Sequence, residues 1–153
     1  MMPDPAEARQ QLGRFIGAFR GTETMSPSEW APNGFVAESE TINREALGGF
    51  GVVTDYCQKR GEQTTYEGHA VYTWNGGAGE VVLHWFDNMG MGRDEFRGQW
   101  DGDVLQLRCE NAMGHHRITW TFGPDGPLSS RMEMGADAGS LKPMMEAQYS
   151  RAT

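Results

Sequence analysis

Two hydrophobic patterns divide the chain at about Gly17. Before this point, Leu12 belongs to a set of apolar residues that recur at the spacing of a helix. Asp4 suits an N-cap, and Pro5 suits the first helical position, where a missing backbone N–H costs nothing. The pattern predicts an amphipathic helix over residues 4–16.

Beyond residue 17 the pattern changes to an alternation of apolar and polar residues, which is the period of a β-strand. Residues 105–109 and 118–122 show it well, because every second residue in each is apolar or cysteine. Turn signals that contain glycine recur roughly every 8 to 14 positions. Since strands do not alternate with helices and no linker or repeat is present, we expect a single domain over residues 1–153.

So many consecutive hairpins in a small domain must protect their edge strands, and closing the sheet on itself does this. We therefore predict an all-β fold, an antiparallel up-and-down barrel of about nine to ten strands over residues 17–153, with one short N-terminal helix. A two-sheet sandwich remains an alternative, because alternation and turn spacing fit both architectures.

Composition and charge limit the partners. The 153-residue chain has a formal net charge of -8 at pH 7, so nucleic acids and anionic membranes would repel it. No segment approaches the roughly 18 apolar residues of a membrane span, and residues 1–5 lack the pattern of a secretory signal. We expect a cytoplasmic protein without nucleic-acid binding or membrane insertion, in which Cys57 and Cys109 are reduced thiols.

The familiar catalytic motifs are missing. The sequence has no phosphate-binding glycine loop, no nucleophile elbow, no HExxH and no paired CxxC, which excludes the usual nucleotide and zinc-hydrolase sites. His115 and His116 are adjacent, so on a strand they point to opposite faces and cannot bind one metal together. We expect one of them to lie in solvent.

The segment from residue 64 to 92 carries the most distinctive chemistry. It predicts a long hairpin with His69 on one strand and His84 on the other. On the inner face the two imidazoles would form a titratable pair that could hold the polar end of a ligand. Glu67 shares a face with His69, and Phe86 shares a face with His84. The alternation leaves both orientations open, because each strand is apolar on both faces.

Two further residues have alternative readings. Arg131 shares a face with Glu133, either inside the barrel as a charge anchor or outside as a cross-strand partner. Trp30 lies between two prolines, where it is a candidate lid over the barrel mouth or a loop residue packed against the helix. The candidate ligand-binding residues are His69, His84, Glu67, Phe86, Arg131 and Tyr56.

Several short motifs occur along the chain. They are Phe19-Arg20-Gly21, Gly48-Gly49-Phe50, Asp55-Tyr56, Tyr66-Glu67-Gly68-His69, His84-Trp85-Phe86-Asp87-Asn88-Met89-Gly90, Gly98-Gln99-Trp100-Asp101-Gly102 and Tyr149-Ser150-Arg151. Together they resemble the bacterial domain-of-unknown-function family numbered 1579. The resemblance covers nearly the whole chain, and its most specific part is the run from Trp85 to Gly90. It implies a calycin-like barrel, related in shape to lipocalins, fatty-acid-binding proteins and haem-binding nitrobindins, with no established activity.

The leading hypothesis is a binding barrel whose interior holds a small apolar or amphipathic molecule, with His69 and His84 orienting its polar end. One alternative is an enzyme in which these histidines act as general acid and base. Another follows from the resemblance to nitrobindins and has one histidine ligating haem. The last is a barrel with a packed interior that acts through its outer surface, for example as a homodimer. No metal site is expected.

Overall fold

The chain folds into a closed antiparallel barrel. The computed structural model describes residues 4–152, which form ten strands, one α-helix and a short 3₁₀ helix. The helices are α1 (Pro5–Gly13) and the 3₁₀ turn Leu47–Gly49. The strands are β1 (Gly17–Met25), β2 (Phe35–Ala46), β3 (Gly51–Arg60), β4 (Gln63–Asn75), β5 (Glu80–Asp87), β6 (Arg93–Asp101), β7 (Val104–Asn111), β8 (Gly114–Gly123), β9 (Gly126–Gly135) and β10 (Lys142–Arg151).

Each strand pairs with its neighbour in sequence, and β1 also pairs with β10, so the sheet has no free edge. The predicted all-β up-and-down barrel is confirmed. The sandwich alternative is wrong, because a sandwich would leave two separate sheets with unpaired edges.

Helix α1 begins as its sequence predicts and ends earlier. The Asp4 side chain accepts a hydrogen bond of 2.9 Å from the Ala6 backbone N–H, and Pro5 occupies the first helical position. The helix ends at Gly13 rather than at residue 16. The N–H groups of residues 14–16 instead bond the carbonyls three residues before them, which turns the chain into β1.

The end of the helix closes one end of the barrel. Leu12 and Phe15 are fully buried, and the Phe15 ring lies 4.4 Å from the Tyr72 ring and 4.9 Å from the Phe122 ring. Burying side chains of this size contributes about 1.5–3 kcal/mol each. These two side chains form a plug, which anchors the helix to the strands and excludes water at this end.

Alternation along each strand separates an inner from an outer face. On β7, Leu105 and Leu107 lie fully buried in the core and Cys109 is also buried, whereas Arg108 is exposed. The other end of the barrel, which we call the mouth, is formed by the end of β1 and by every second connection along the chain. These connections are residues 26–34, 61–62, 88–92, 112–113 and 136–141. No helix of the described residues could span a membrane.

Candidate functional site

Near the mouth the inner wall is open to water. Many inward-facing side chains there are only partly buried, whereas Leu12, Phe15 and Leu105 toward the plugged end are fully buried. They are Tyr56, Tyr66, Trp85, Asp94, His116, Ile118, Met132, Met134, Met145 and Tyr149. Side chains that point into a closed barrel yet keep accessible surface line an internal space, and we call this space the lumen.

Tyr149 and Tyr56 illustrate the character of the lumen. Burial raises the pKa of both phenols well above the usual value, which means that protein surrounds them closely. Each nevertheless keeps part of its surface accessible. Both phenols therefore lie among protein atoms beside the accessible part of the inner wall.

Three aromatic rings form a cluster on the inner wall, which we call the aromatic triad. The Tyr56 ring lies 6.0 Å from the Tyr66 ring and 5.8 Å from the Trp85 ring, and the latter two are 6.3 Å apart. Gly68 makes the arrangement possible, because a Cβ atom at this position would lie 2.2 Å from Trp85 Cη2. The indole folds across the strand where Gly68 has no side chain.

A buried carboxylate lies beside the triad. Glu23 is 1 % exposed and accepts hydrogen bonds from the Tyr56 hydroxyl at 2.6 Å and from Gln58 Nε2 at 2.7 Å. Burial first, and then the charge of Glu23, raise the pKa of Tyr56, so this phenol stays protonated and remains a donor.

Two more carboxylates are bonded in the same way. Asp87 accepts from the Tyr66 hydroxyl at 2.5 Å and from Trp85 Nε1 at 3.0 Å. Asp94 accepts from Asn111 Nδ2 at 3.1 Å. Every side chain that donates a hydrogen bond to Asp87 or Asp94 in these contacts is uncharged.

His116 lies on the inner wall, where the sequence analysis proposed no functional histidine. Its Nε2 is 3.1 Å from Asn111 Oδ1. Burial lowers its pKa below the usual value, and the nearby Asp94 only partly opposes this shift. A signal for its position was available, since His116 shares parity with Ile118 and Phe122, which alternate as inner residues.

The two histidines singled out in the sequence lie on the outer face. His69 Nδ1 is 2.9 Å from Asp55 Oδ1, and Arg44 binds the other oxygen of Asp55 at 2.8 Å. The hydrogen bond from His69 is the main cause that lowers the pKa of Asp55. His84 Nδ1 is 2.8 Å from Arg93 Nη1. Neither imidazole therefore points into the barrel, where the hypothesis needed them to orient a ligand.

The imidazoles do not form a pair either. His69 stands opposite Phe86 in the register of β4 and β5, and His84 stands opposite Val71. The strands are adjacent as predicted, but the histidines are offset by two residues along them.

A groove of about 560 Å³ runs across the outer face of β2 to β5. Its lining residues are Glu40, Ile42, Asp55, Tyr56, Cys57, Glu67, Gly68, His69, Phe86, Asp87 and Asn88. It brings together the predicted residues Glu67, His69 and Phe86. Tyr56 also borders it, although the Tyr56 side chain belongs to the inner wall through its bond to Glu23.

Arg131 is on the outer face of β9, at 3.9 Å from both Glu133 and Glu146. Glu133 is held more closely by Arg117, which donates two hydrogen bonds of 2.9 Å and lowers the pKa of the carboxylate. Of the two interpretations of Arg131, the structure agrees with the one that places its side chain outside the barrel as a cross-strand partner.

Trp30 lies in the loop 26–34 at the mouth and is 91 % exposed. It therefore neither covers the lumen nor packs against α1. Both of its sequence-based interpretations fail, because the loop holds the indole away from the barrel.

The positions of the histidines and carboxylates decide which residues could hold a metal or a haem. Within residues 4–152, no three His, Cys, Asp or Glu side chains lie close enough to hold a metal ion. The haem hypothesis required His69 or His84 inside the barrel, and both face outward. His116 does face inward, but its Nε2 contacts Asn111. The residues proposed as axial ligands thus do not fit a haem in the lumen.

Comparison with known proteins identifies the fold and the family. The structure is similar to the one titled "Crystal Structure of Rv2717c from M. tuberculosis", with a TM-score of 0.74 and 16 % identity. The match covers 98 % of this chain and 100 % of the other, and at this identity it shows the fold alone. The search of curated proteins gave no match. A family model described as "Protein of unknown function (DUF1579)" matches residues 4–151, and the chain belongs to that family.

Proposed function

We propose that the protein binds a small amphipathic molecule in the lumen. The observation that carries this proposal is the contrast between the two ends of the barrel. At the helix end Leu12 and Phe15 fill the interior, whereas inward-facing side chains near the mouth keep accessible surface. A preformed concave space with apolar walls and a few converging polar groups is the usual form of a ligand site.

The walls supply both kinds of contact. Met132 and Met145 face each other across β9 and β10, and Ile118 is the cross-strand neighbour of Met132 on β8. Methionine side chains are flexible and polarisable, so they adapt to the apolar part of a ligand. The aromatic triad and the carboxylate of Glu23 would receive its polar part.

Of the residues proposed from sequence, Tyr56 keeps a role in this site. His69, His84, Glu67, Phe86 and Arg131 have their side chains on the outer face and would not contact a molecule in the lumen.

A neutral fluorescent probe, Nile red, tests the proposal. We expect saturable binding to the wild type, and we expect Met132→Trp to weaken it by about tenfold or more, because the indole fills the lumen. Arg131→Trp is the matched control, since it adds the same ring at the next residue on the outer face. Absence of saturable binding, or equal loss in both variants, would contradict the proposal.

The outer groove is a second candidate site, for acid–base chemistry. The observation that favours it is the short contact between His69 and Asp55, which fixes the imidazole at the edge of a groove. If the groove acts in this way, hydrolysis of p-nitrophenyl acetate falls in His69→Gln and not in His115→Gln. Equal rates in the two variants would eliminate this candidate.

A further inference from the structure

We propose that the lumen selects a cation, an amphipathic organic amine or ammonium ion, rather than a neutral or anionic amphiphile. This inference rests on the proposed binding function and specifies the chemical class of the ligand. It is drawn from the charge of the inner wall, the aromatic triad and a buried hydroxyl without a partner.

The inner and outer carboxylates differ in their partners. On the outer face, Asp55, Glu95 and Glu133 are each bound by at least one arginine. On the inner face, the side-chain partners of Glu23, Asp87 and Asp94 are phenol, indole and amide groups. These groups are Tyr56, Gln58, Tyr66, Trp85 and Asn111. Neutral donors satisfy the oxygens without neutralising the charge.

The inner wall near the mouth offers no buried counter-charge within residues 4–152. Arg60 and Lys142 are the basic residues with inward parity there, and both are exposed at the ends of their strands. The Arg60 guanidinium lies 4.2 Å from the centre of the Phe35 ring. His116 lies inside, but its lowered pKa keeps it neutral at pH 7. The lumen is therefore negative.

Negative charge has a stronger effect in the lumen than on the surface. Glu23 is buried and Asp87 and Asp94 are half-buried, so their field is less screened than that of exposed groups. A cation that enters gains attraction from all three carboxylates. A ligand carboxylate in the same place would be repelled by each of them.

The aromatic triad provides the matching surface. The Tyr56 hydroxyl donates a hydrogen bond to Glu23. The Tyr66 hydroxyl and the Trp85 indole N–H both donate to Asp87. The rings thus lie between two carboxylates. The faces of aromatic rings attract ammonium groups, and the attraction is larger where water is excluded.

A third observation points independently to a polar ligand group. Ser39 lies on the inner face of β2 and is 2 % exposed. Its buried Oγ atom has no hydrogen-bond partner. Ser39 is the cross-strand neighbour of Gln58, which binds Glu23. A buried hydroxyl without a partner is costly, and the N–H group of a bound amine would satisfy it.

Three probes with the same chain test the charge preference. They are decylammonium, decanol and decanoate, used below their micelle concentrations to displace Nile red. We expect the cation to displace the dye at about one-tenth the concentration that decanol requires, and decanoate to be the weakest. If Nile red binds but the cation is no better than decanol, this inference fails while the proposed function stands. If Nile red does not bind, the proposed function itself fails.

Isosteric variants locate the charge. Asp94→Asn keeps an oxygen that can accept from Asn111 and removes the negative charge, so the cation preference should fall several-fold while decanol binding is retained. Asp87→Asn should act similarly. Glu95→Gln is the control, because it changes an outer carboxylate one residue away on the same strand. An unchanged ratio of cation to decanol in both inner variants would overturn the inference.

Discussion

Gly68 lies on the inner face of β4, where the six-membered ring of Trp85 passes over it. A Cβ atom at Gly68 would approach two ring carbons to 2.2 and 2.3 Å, so only glycine allows the indole to lie there. The motif Tyr66-Glu67-Gly68-His69 alternates accordingly. Its inward positions build the aromatic triad, and its outward positions line the groove.

We predict that Gly68→Ala lowers the free energy of unfolding by about 1–3 kcal/mol, because the methyl group must displace Trp85. Gly77→Ala is the control, since the nearest atom to its new Cβ would be at an ordinary 3.5 Å. Urea unfolding measures both. The cost should shrink in a Trp85→Phe background, which lacks the clashing atoms. A full cost in that background would contradict this explanation.

His116 should titrate differently from an exposed imidazole. Burial lowers its pKa below 6.5, so the unfolded chain binds a proton before the folded protein does. Its contribution to stability is therefore complete above about pH 6.5 and is lost as the pH falls toward the folded-state pKa. NMR titration of the imidazole protons measures this value. A midpoint at or above 6.5 would contradict the buried position.

At the scale of the strands, β8 and β9 show how the two faces divide their chemistry. Their outer faces carry the Arg117–Glu133 pair, and their inner faces carry Ile118 opposite Met132. The register thus places a charge pair and an apolar pair on opposite sides of the same ladder. The outer pair holds the strands together without entering the lumen.

We predict that Glu133→Gln lowers stability at pH 7 by about 1 kcal/mol, because it breaks a paired contact with Arg117. Arg117 lowers the pKa of Glu133, so its stabilisation is present above the ordinary value of 4.5 and is lost as the pH falls through the folded-state value. Wild type and variant should converge in acid. The control is Glu146→Gln, whose contact with Arg131 is 3.9 Å, and it should change stability little.

For the whole molecule, the alternation and turn spacing predicted the many strands and the helix, and the need to protect edge strands favoured a closed barrel over a sandwich. They could not assign faces near the mouth, because the usual rule of apolar inside and polar outside does not hold at every position there. Glu23 and Gln58 are buried on the inner wall, while Ile42 and Phe86 are 50 % and 40 % exposed on the outer wall. Sequence reasoning fails to assign the faces where polar residues are buried on the inner wall.

The histidines show the same limit. On β5, Val82 on the outer face is buried almost as well as Val81 and Leu83 on the inner face. Hydrophobicity therefore could not decide where His84 points. The cross-strand register was needed, and that depends on the whole closed sheet.

The most direct test of ligand binding in the lumen is NMR of protein labelled at the methionine methyl groups, titrated with decylammonium. Met132 and Met145 report on the lumen, and Met89 and Met91 are exposed reporters at the mouth. We predict saturable shifts of the Met132 and Met145 signals, with Met132→Leu used for assignment. Saturable binding that leaves both of these signals unchanged would contradict a ligand site inside the barrel.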